Sequence, residues 1–171
     1  MVEETALMGG QSILGRRHVS IDIVSLCDHL DVLVGPQVAE VIMKHHEVRL
    51  GKEDVAFLRK QHPEASPNEI VEKLVESSRI SGVGSVEAKL KDNGPELEII
   101  IQNPCLTGTE GSAKSFMFAH WCGALSAIAK GGEFEVMHVT YDPYKKVLRG
   151  RIVPRRPPTN NSRHVAGPGR A

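Results

Sequence analysis

One stretch of this sequence, Ser115–Lys130, limits the possible folds more than any other. It reads SFMFAHWCGALSAIAK and contains no charged residue before Lys130. Its large apolar side chains are spread around the whole helical wheel, and a helix that is apolar on every face is either buried or membrane-spanning. A bilayer requires about 20 apolar residues, so this shorter stretch predicts a buried central helix. Its small residues Ala119, Gly123 and Ala127 predict close approach of another helix, within the domain or across a dimer.

Length and cysteine content narrow the class of protein. At 171 residues the chain is long enough for one domain with a substantial core. The three cysteines, Cys27, Cys105 and Cys122, are odd in number and widely spaced. This pattern argues against a disulfide framework and favours a reducing, cytoplasmic location. The first residues, MVEETALMGG, are acidic and lack a long apolar stretch, so we expect no secretory signal.

The net charge of zero conceals an asymmetry along the chain. Up to Asp142 there are 13 basic and 21 acidic residues, whereas the remainder has eight basic residues and no acid. Residues 154–171 are rich in Pro and Arg and poor in apolar side chains, which predicts a flexible tail. The basic segment Arg149–Arg170 either keeps the protein soluble or binds an RNA, DNA or acidic protein partner. No aromatic residue lies within that segment, so nothing there favours sequence-specific nucleic-acid recognition.

Apolar periodicity predicts helices in the first half of the chain. Residues 28–34 are typical of one or two helical turns that end at Gly35. A longer helix is expected from Pro36 to near Gly51, followed by a weaker one over Glu53–Gln61. The apolar face of the Pro36 helix is formed at helical spacing by Val38, Val41, Ile42 and His45.

A capping box marks the next helix. In Ser66-Pro67-Asn68-Glu69 a serine precedes a proline at the first helical position, and a glutamate follows at the third. The helix that it opens is expected to end near Ile80, before Gly82-Val83-Gly84.

Alternating polar and apolar residues predict the strands. A short strand is expected at 18–24, a hairpin at 86–101 with its turn at Asp92-Asn93-Gly94, and a second hairpin at 134–153. In the second hairpin, Phe134, Val136 and His138 are candidates for the inner face. The order predicts an α+β fold: N-terminal helices, then β-β-α-β-β forming an antiparallel four-stranded sheet with a buried central helix. We expect an N-terminal extension at 1–17, one domain at 18–153 and the tail at 154–171.

Several segments of the sequence resemble a known family. The segments GVGSVEAKL and LEIIIQN, the helix with GALSAIAKG, and the hairpin EFEVMHVTYD with LRGRI look like the 4-vinyl-reductase, or hydrocarbon-binding, domain. That family shares its fold with TRAPP vesicle-tethering subunits, and the resemblance covers roughly residues 20–153. It implies a small-molecule-binding module, often dimeric, that occurs alone in archaea and bacteria or fused to transcriptional regulators.

The chain departs from this family at a metal site. Some members, including phenol-sensing activators, hold a structural zinc with cysteines before the helix and on the last hairpin, and a glutamate on that hairpin. After alignment on Gly123 and Ser126, the corresponding positions fall near Lys114, His138, Tyr141 and Arg149. Of these four, only His138 can bind zinc, which takes four ligands in structural sites. We therefore expect no zinc there; a different site drawn from His29, His45, His46, His120 or His138 stays open.

The loop before the central helix is close to a phosphate-binding pattern. Residues 108–115 read GTEGSAKS, where the phosphate-binding loop requires GxxxxGK followed by Ser or Thr. Ala113 replaces the second glycine, and Glu110 brings a negative charge into the loop. We interpret the segment as a connection in which Ser112 caps the helix, with weak anion binding or nucleotide hydrolysis as the alternatives.

The sequence offers candidates for a ligand pocket. On the central helix Phe116, His120 and Trp121 would present an apolar surface with one polar group, and Ile42 and His45 would form the opposite wall. Core packing of the same residues is the alternative. Cys122 is expected to behave as a small apolar residue.

We find no arrangement of residues typical of catalysis or of a cofactor site, so the expected function is binding or sensing of a hydrophobic small molecule, without a cofactor. Two alternatives stay open. In the first, the chain is an assembly subunit of a larger complex that uses the TRAPP-like fold and the basic tail. In the second, it is an enzyme associated with a reductase, and His120 or Cys122 would be essential.

Overall fold

The first long helix, α1 (Pro36–Gln61), is continuous over 26 residues. The computed structural model describes residues 26, 29–81, 84–91, 95–104 and 112–155. Residues 29–34 are helical as expected, and Gly35 with φ of 82° separates them from α1, which begins at a proline. A φ in this range favours glycine, and proline is well suited to a first helical position.

Two expectations for α1 are wrong. The helix does not end near Gly51, because that glycine lies in its middle against the central helix. The buried face is also different: Val38, Val41 and Ile42 are between 44% and 67% exposed. A stripe at intervals of four residues faces inward instead, formed by Ala39, Met43, Glu47, Gly51 and Val55. Small residues on this stripe allow close packing, which a count of large apolar side chains does not detect.

The capping box is confirmed at the start of α2 (Pro67–Ser81). The Ser66 N–H donates to Glu69 Oε2 at 2.7 Å, and the Glu69 N–H donates to Ser66 Oγ at 3.3 Å. The hydrogen bond from the Ser66 backbone stabilises the carboxylate, which lowers the pKa of Glu69. The helix ends one residue after the expected position.

Four antiparallel strands confirm the α+β fold class. They are β1 (Ser85–Leu90), β2 (Leu97–Gln102), β3 (Phe134–Asp142) and β4 (Val147–Pro154), in the sheet order β1-β2-β4-β3. The third helix, α3 (Ser112–Ile128), connects β2 to β3. The Arg155 N–H donates to the Glu133 carbonyl oxygen at 2.8 Å, just beyond β4.

The strand β3 contains an irregularity. Its pairing with β4 shifts between Met137 and Thr140, and His138 there has φ of 56°. The sequence placed His138 on the inner face, following Phe134 and Val136. The bulge interrupts that alternation, and His138 is exposed.

The central helix is buried, as the sequence predicts. It packs between α1 on one side and β3 and β4 on the other. Its inward residues are Met117, Phe118, Trp121, Cys122, Leu125 and Ile128. Phe118 is fully buried against Gly150 of β4, where an added Cβ would lie 2.6 Å from the phenyl ring.

The extension expected at 1–17, the strand expected at 18–24, the turn expected at 92–94 and the loop at 105–111 lie outside the described residues. So does the tail expected at 154–171, apart from Pro154, which ends β4, and Arg155. No helix in the part of the chain that is described is long and apolar enough to cross a membrane.

Candidate ligand-binding site

The helices α1 and α3 touch at their backbones. A Cβ on Gly51 would lie 1.9 Å from the carbonyl oxygen of His120, and a Cβ on Gly123 would lie 1.9 Å from the carbonyl oxygen of Val48. Only glycine fits at either position. The close approach expected from the small residues of α3 is therefore confirmed at Gly123, and it occurs within the domain.

Three titratable side chains meet beside this crossing, and we name them the Glu47 cluster: Glu47 and Asp54 of α1, with His120 of α3. His120 Nε2 lies 2.9 Å from Asp54 Oδ2, within hydrogen-bonding distance. Glu47 is 8% exposed, and no other charged residue whose side chain the structure describes is buried. Burial raises the pKa of Glu47, and the nearby imidazoles of His120 and His46 oppose that rise.

Glu47 is not among the candidate site residues that the sequence indicates. Its spacing of four residues from Met43 and from Gly51 could have indicated a buried position. A search for large apolar residues does not detect this spacing, because glutamate and glycine are not apolar side chains of that kind. The sequence alone did not bring Asp54 and His120 together either, because 66 residues separate them.

We expect Glu47→Gln to stabilise the protein at neutral and higher pH. The pKa of this carboxyl is raised on folding, so the contribution of Glu47 to stability is greatest below the ordinary pKa near 4.5 and is lost as pH rises through the folded value. Glutamine keeps the volume and carries no charge. The gain should be about 1 kcal/mol at pH 8 and absent near pH 4. Urea unfolding followed by circular dichroism at both pH values measures it.

The control is Glu53→Gln, which removes an exposed carboxylate from the same helix. Its effect should stay within about 0.5 kcal/mol at either pH. A less stable Glu47→Gln at pH 8 would show that attraction to His120 outweighs the cost of burying the charge.

A cleft of about 490 Å³ lies on the other flank of α1 and α3, where both face β3. We name it the β3 cleft. Its apolar lining comes from three elements: Val48, Ala119, Cys122, Phe134, Val136 and Val139. Its charged lining consists of Lys44, Glu135 and Arg155. An apolar surface with a few polar groups is the usual composition of a small-molecule site, and the volume lies in the usual range.

The thiol at this cleft is protonated at neutral pH. Burial, together with the nearby Glu135 carboxylate, raises the pKa of Cys122 to about 12. The protonated thiol is a poor nucleophile, so Cys122 contributes apolar surface to the cleft.

Two other clefts contain no residue of α1. One of about 770 Å³ lies on the outer face of the sheet, beside the ion pair of Arg151 and Glu96, and is lined largely by charged residues. The other, of about 460 Å³, lies between the start of α2 and the end of α3, and its lining is mainly apolar, with Lys91 as its charged residue. Neither brings α1 and α3 together, whereas the β3 cleft does.

The structure separates the site residues suggested by the sequence. Ile42 is 44% exposed and His45 is exposed on α1. His120 and Trp121 are adjacent on α3, with ring centroids 6.1 Å apart in an edge-to-face arrangement. None of these four lines the β3 cleft. The side chain of Phe116 lies outside the described part of the structure.

Among the described residues, no group of three or more His, Cys, Asp or Glu side chains is arranged to hold a metal ion.

Comparison with known proteins shows a likeness in structure but none in sequence. No family model matches the chain, and no curated protein matches its sequence. The chain is similar in structure to the crystal structure of the phenol-responsive sensory domain of the transcription activator PoxR with phenol, with a TM-score of 0.61 at 14% identity. The match covers 78% of this chain and 73% of that one. The two chains share a fold. At this identity the likeness extends to the fold alone, and membership of the 4-vinyl-reductase family stays a prediction.

Proposed function

We propose that this protein is a small-molecule-binding domain of the sensory type, without catalytic activity, and that it holds a hydrophobic ligand in the β3 cleft. The main support is the cleft itself, which joins an apolar floor from α1, α3 and β3 to three charged side chains. The shared fold with a phenol-responsive sensory domain is a second support. In this proposal residues 18–153 form the binding domain, and membership of the 4-vinyl-reductase family follows from the resemblance.

The cleft suggests how binding reaches the rest of the fold. Val48 lines the cleft, and its carbonyl oxygen is the atom nearest to a Cβ built on Gly123 across the helix crossing. A ligand seated against Val48 and Cys122 therefore presses on the two helices whose backbones touch. Because this contact leaves no free space, the helices would shift together, which is the behaviour that a sensor requires.

Native mass spectrometry of the gently purified full chain tests the proposal. We expect the wild type to retain a stoichiometric small molecule, which denaturation releases for identification. Ala119→Met should abolish retention, because Ala119 lines the cleft and the longer side chain would fill it. Ala56→Met, on the exposed side of α1, is the matched control and should retain the ligand.

Circular dichroism establishes that Ala119→Met is folded. A wild-type spectrum with no bound mass, together with no uptake from a library of apolar compounds, would overturn the proposal. Retention by a folded Ala119→Met variant would move the ligand to another site, and the residues predicted from the sequence, His120 and Trp121, would be tested next.

An assembly role is the second candidate, because α1 exposes an apolar face. Val38, Val41 and Ile42 are 50%, 67% and 44% exposed and lie on one side of the helix. Such a face is typical of a protein contact, and we propose a homodimer through it. The same native spectra report the stoichiometry. A protein or nucleic-acid partner for the basic segment Arg149–Arg170 stays a prediction.

A further inference from the structure

The charged residues of the β3 cleft come from separate parts of the fold. Lys44 belongs to α1, Glu135 to β3, and Arg155 follows β4. Two cations and one carboxylate therefore line a cleft that is otherwise apolar, and Glu135 and Arg155 also border the cleft on the outer face of the sheet. The Cys122 thiol adds no charge, because its pKa of about 12 keeps it protonated.

Both cations have partners outside the cleft, in pairs that are easily exchanged. Lys44 Nζ lies 2.6 Å from Glu40 Oε1, with side chains 45% and 39% exposed. Arg155 Nη1 lies 3.3 Å from Glu133 Oε2, with side chains 63% and 78% exposed. Ion pairs between exposed side chains contribute little to stability. Neither glutamate lines the cleft, so an anionic ligand can replace either one without leaving a buried charge unpaired.

We infer that the β3 cleft selects an amphipathic acid: a small molecule with an aromatic or aliphatic body on the apolar lining and a carboxylate or similar anion beside Lys44 and Arg155. This inference rests on the proposed function. A guanidinium binds a planar anion through two parallel hydrogen bonds, and an ammonium adds a point charge. The Glu135 carboxylate repels an anionic ligand, so its removal should strengthen binding where removal of either cation weakens it.

Two fluorescent probes of nearly the same shape separate charge from apolar contact. 1-Anilinonaphthalene-8-sulfonate carries an anion, and N-phenyl-1-naphthylamine is its neutral counterpart. In titrations of the full chain, we expect the anionic probe to bind about tenfold more tightly than the neutral one, as a charge-assisted hydrogen bond would give. Added salt should reduce this difference.

The variants should act in opposite directions. Lys44→Gln and Arg155→Gln should each weaken binding of the anionic probe by about three- to tenfold more than binding of the neutral probe. Glu135→Gln should strengthen binding of the anionic probe. Lys52→Gln removes an exposed cation of α1 that does not line the cleft, and it should change neither probe.

The outcomes distinguish this inference from the function on which it rests. The two probes could bind equally tightly, lose binding in Ala119→Met and be unaffected by Lys44→Gln and Arg155→Gln. In that case the cleft binds ligands but does not select acids, and the inference is wrong. If Ala119→Met has no effect on the anionic probe, that probe binds elsewhere and the inference is wrong. If neither probe binds, the inference is wrong, and the native mass spectra decide the proposed function separately.

Discussion

Gly123→Ala is expected to destabilise the domain by more than about 3 kcal/mol. The new Cβ would lie 1.9 Å from the carbonyl oxygen of Val48, and the neighbouring backbone atoms of Val48 are also closer than 3 Å. Backbone cannot move aside as a flexible side chain can, so α1 has to move away from α3. That movement would expose apolar surface on both helices, and domains of this size have only about 5–15 kcal/mol of stability in total.

The sign of this effect is diagnostic. In an isolated helix, alanine is favoured over glycine by about 1 kcal/mol, so local propensity alone would make the variant more stable. Urea unfolding followed by circular dichroism measures the net change. Gly51→Ala should lose a similar amount, because its Cβ would meet the carbonyl oxygen of His120 at the same distance.

Lys52→Ala is the control for the helix crossing. It lies beside Gly51 on the exposed side of α1 and should change stability by no more than about 0.5 kcal/mol. A Gly123→Ala variant as stable as the wild type would mean that the two helices do not cross at backbone contact in solution.

The second large effect is expected at the contact between α3 and the sheet. Phe118→Ala should cost about 3–5 kcal/mol, because the ring is fully buried and the surrounding strands can fill only part of the space. Phe57→Ala is a matched control: the same substitution at a side chain that is 58% exposed on α1 should cost much less.

A double-mutant cycle tests whether Phe118 and Gly150 are complementary in shape. Gly150→Ala alone should destabilise by about 1–3 kcal/mol, since its Cβ would lie 2.6 Å from the Phe118 ring. Phe118→Leu makes room for that methyl group, so the double variant should be more stable than the sum of the two single changes predicts. Strict additivity would contradict the direct contact.

The parts of the fold that could be predicted are those that local pattern determines. The apolar wheel of Ser115–Lys130 is sufficient to predict a buried helix, and the side chains of Ser66 and Glu69 act on backbone groups within one turn. The alternation in β2 and β4 likewise depends on neighbours along the same strand. These features led to the correct fold class.

The parts that could not be predicted depend on contacts between distant segments. Gly51 has the same local character as a helix terminator, and only the position of His120 across the crossing explains why it lies inside α1. Glu47 is an ordinary surface residue in sequence and is buried because α3 covers it. The β3 cleft brings together side chains as far apart as Lys44 and Arg155, and no spacing in the sequence relates them.

The bulge in β3 also bears on whether another strand can pair with the edge of the sheet. β3 is at the edge of the sheet and leaves one row of backbone groups unpaired within the described structure. An uninterrupted edge would be a template for an additional strand, and bulges are a common device against such pairing. The irregular backbone at His138 and Val139 therefore makes this edge a poor template for a further strand, on the same strand that lines the β3 cleft.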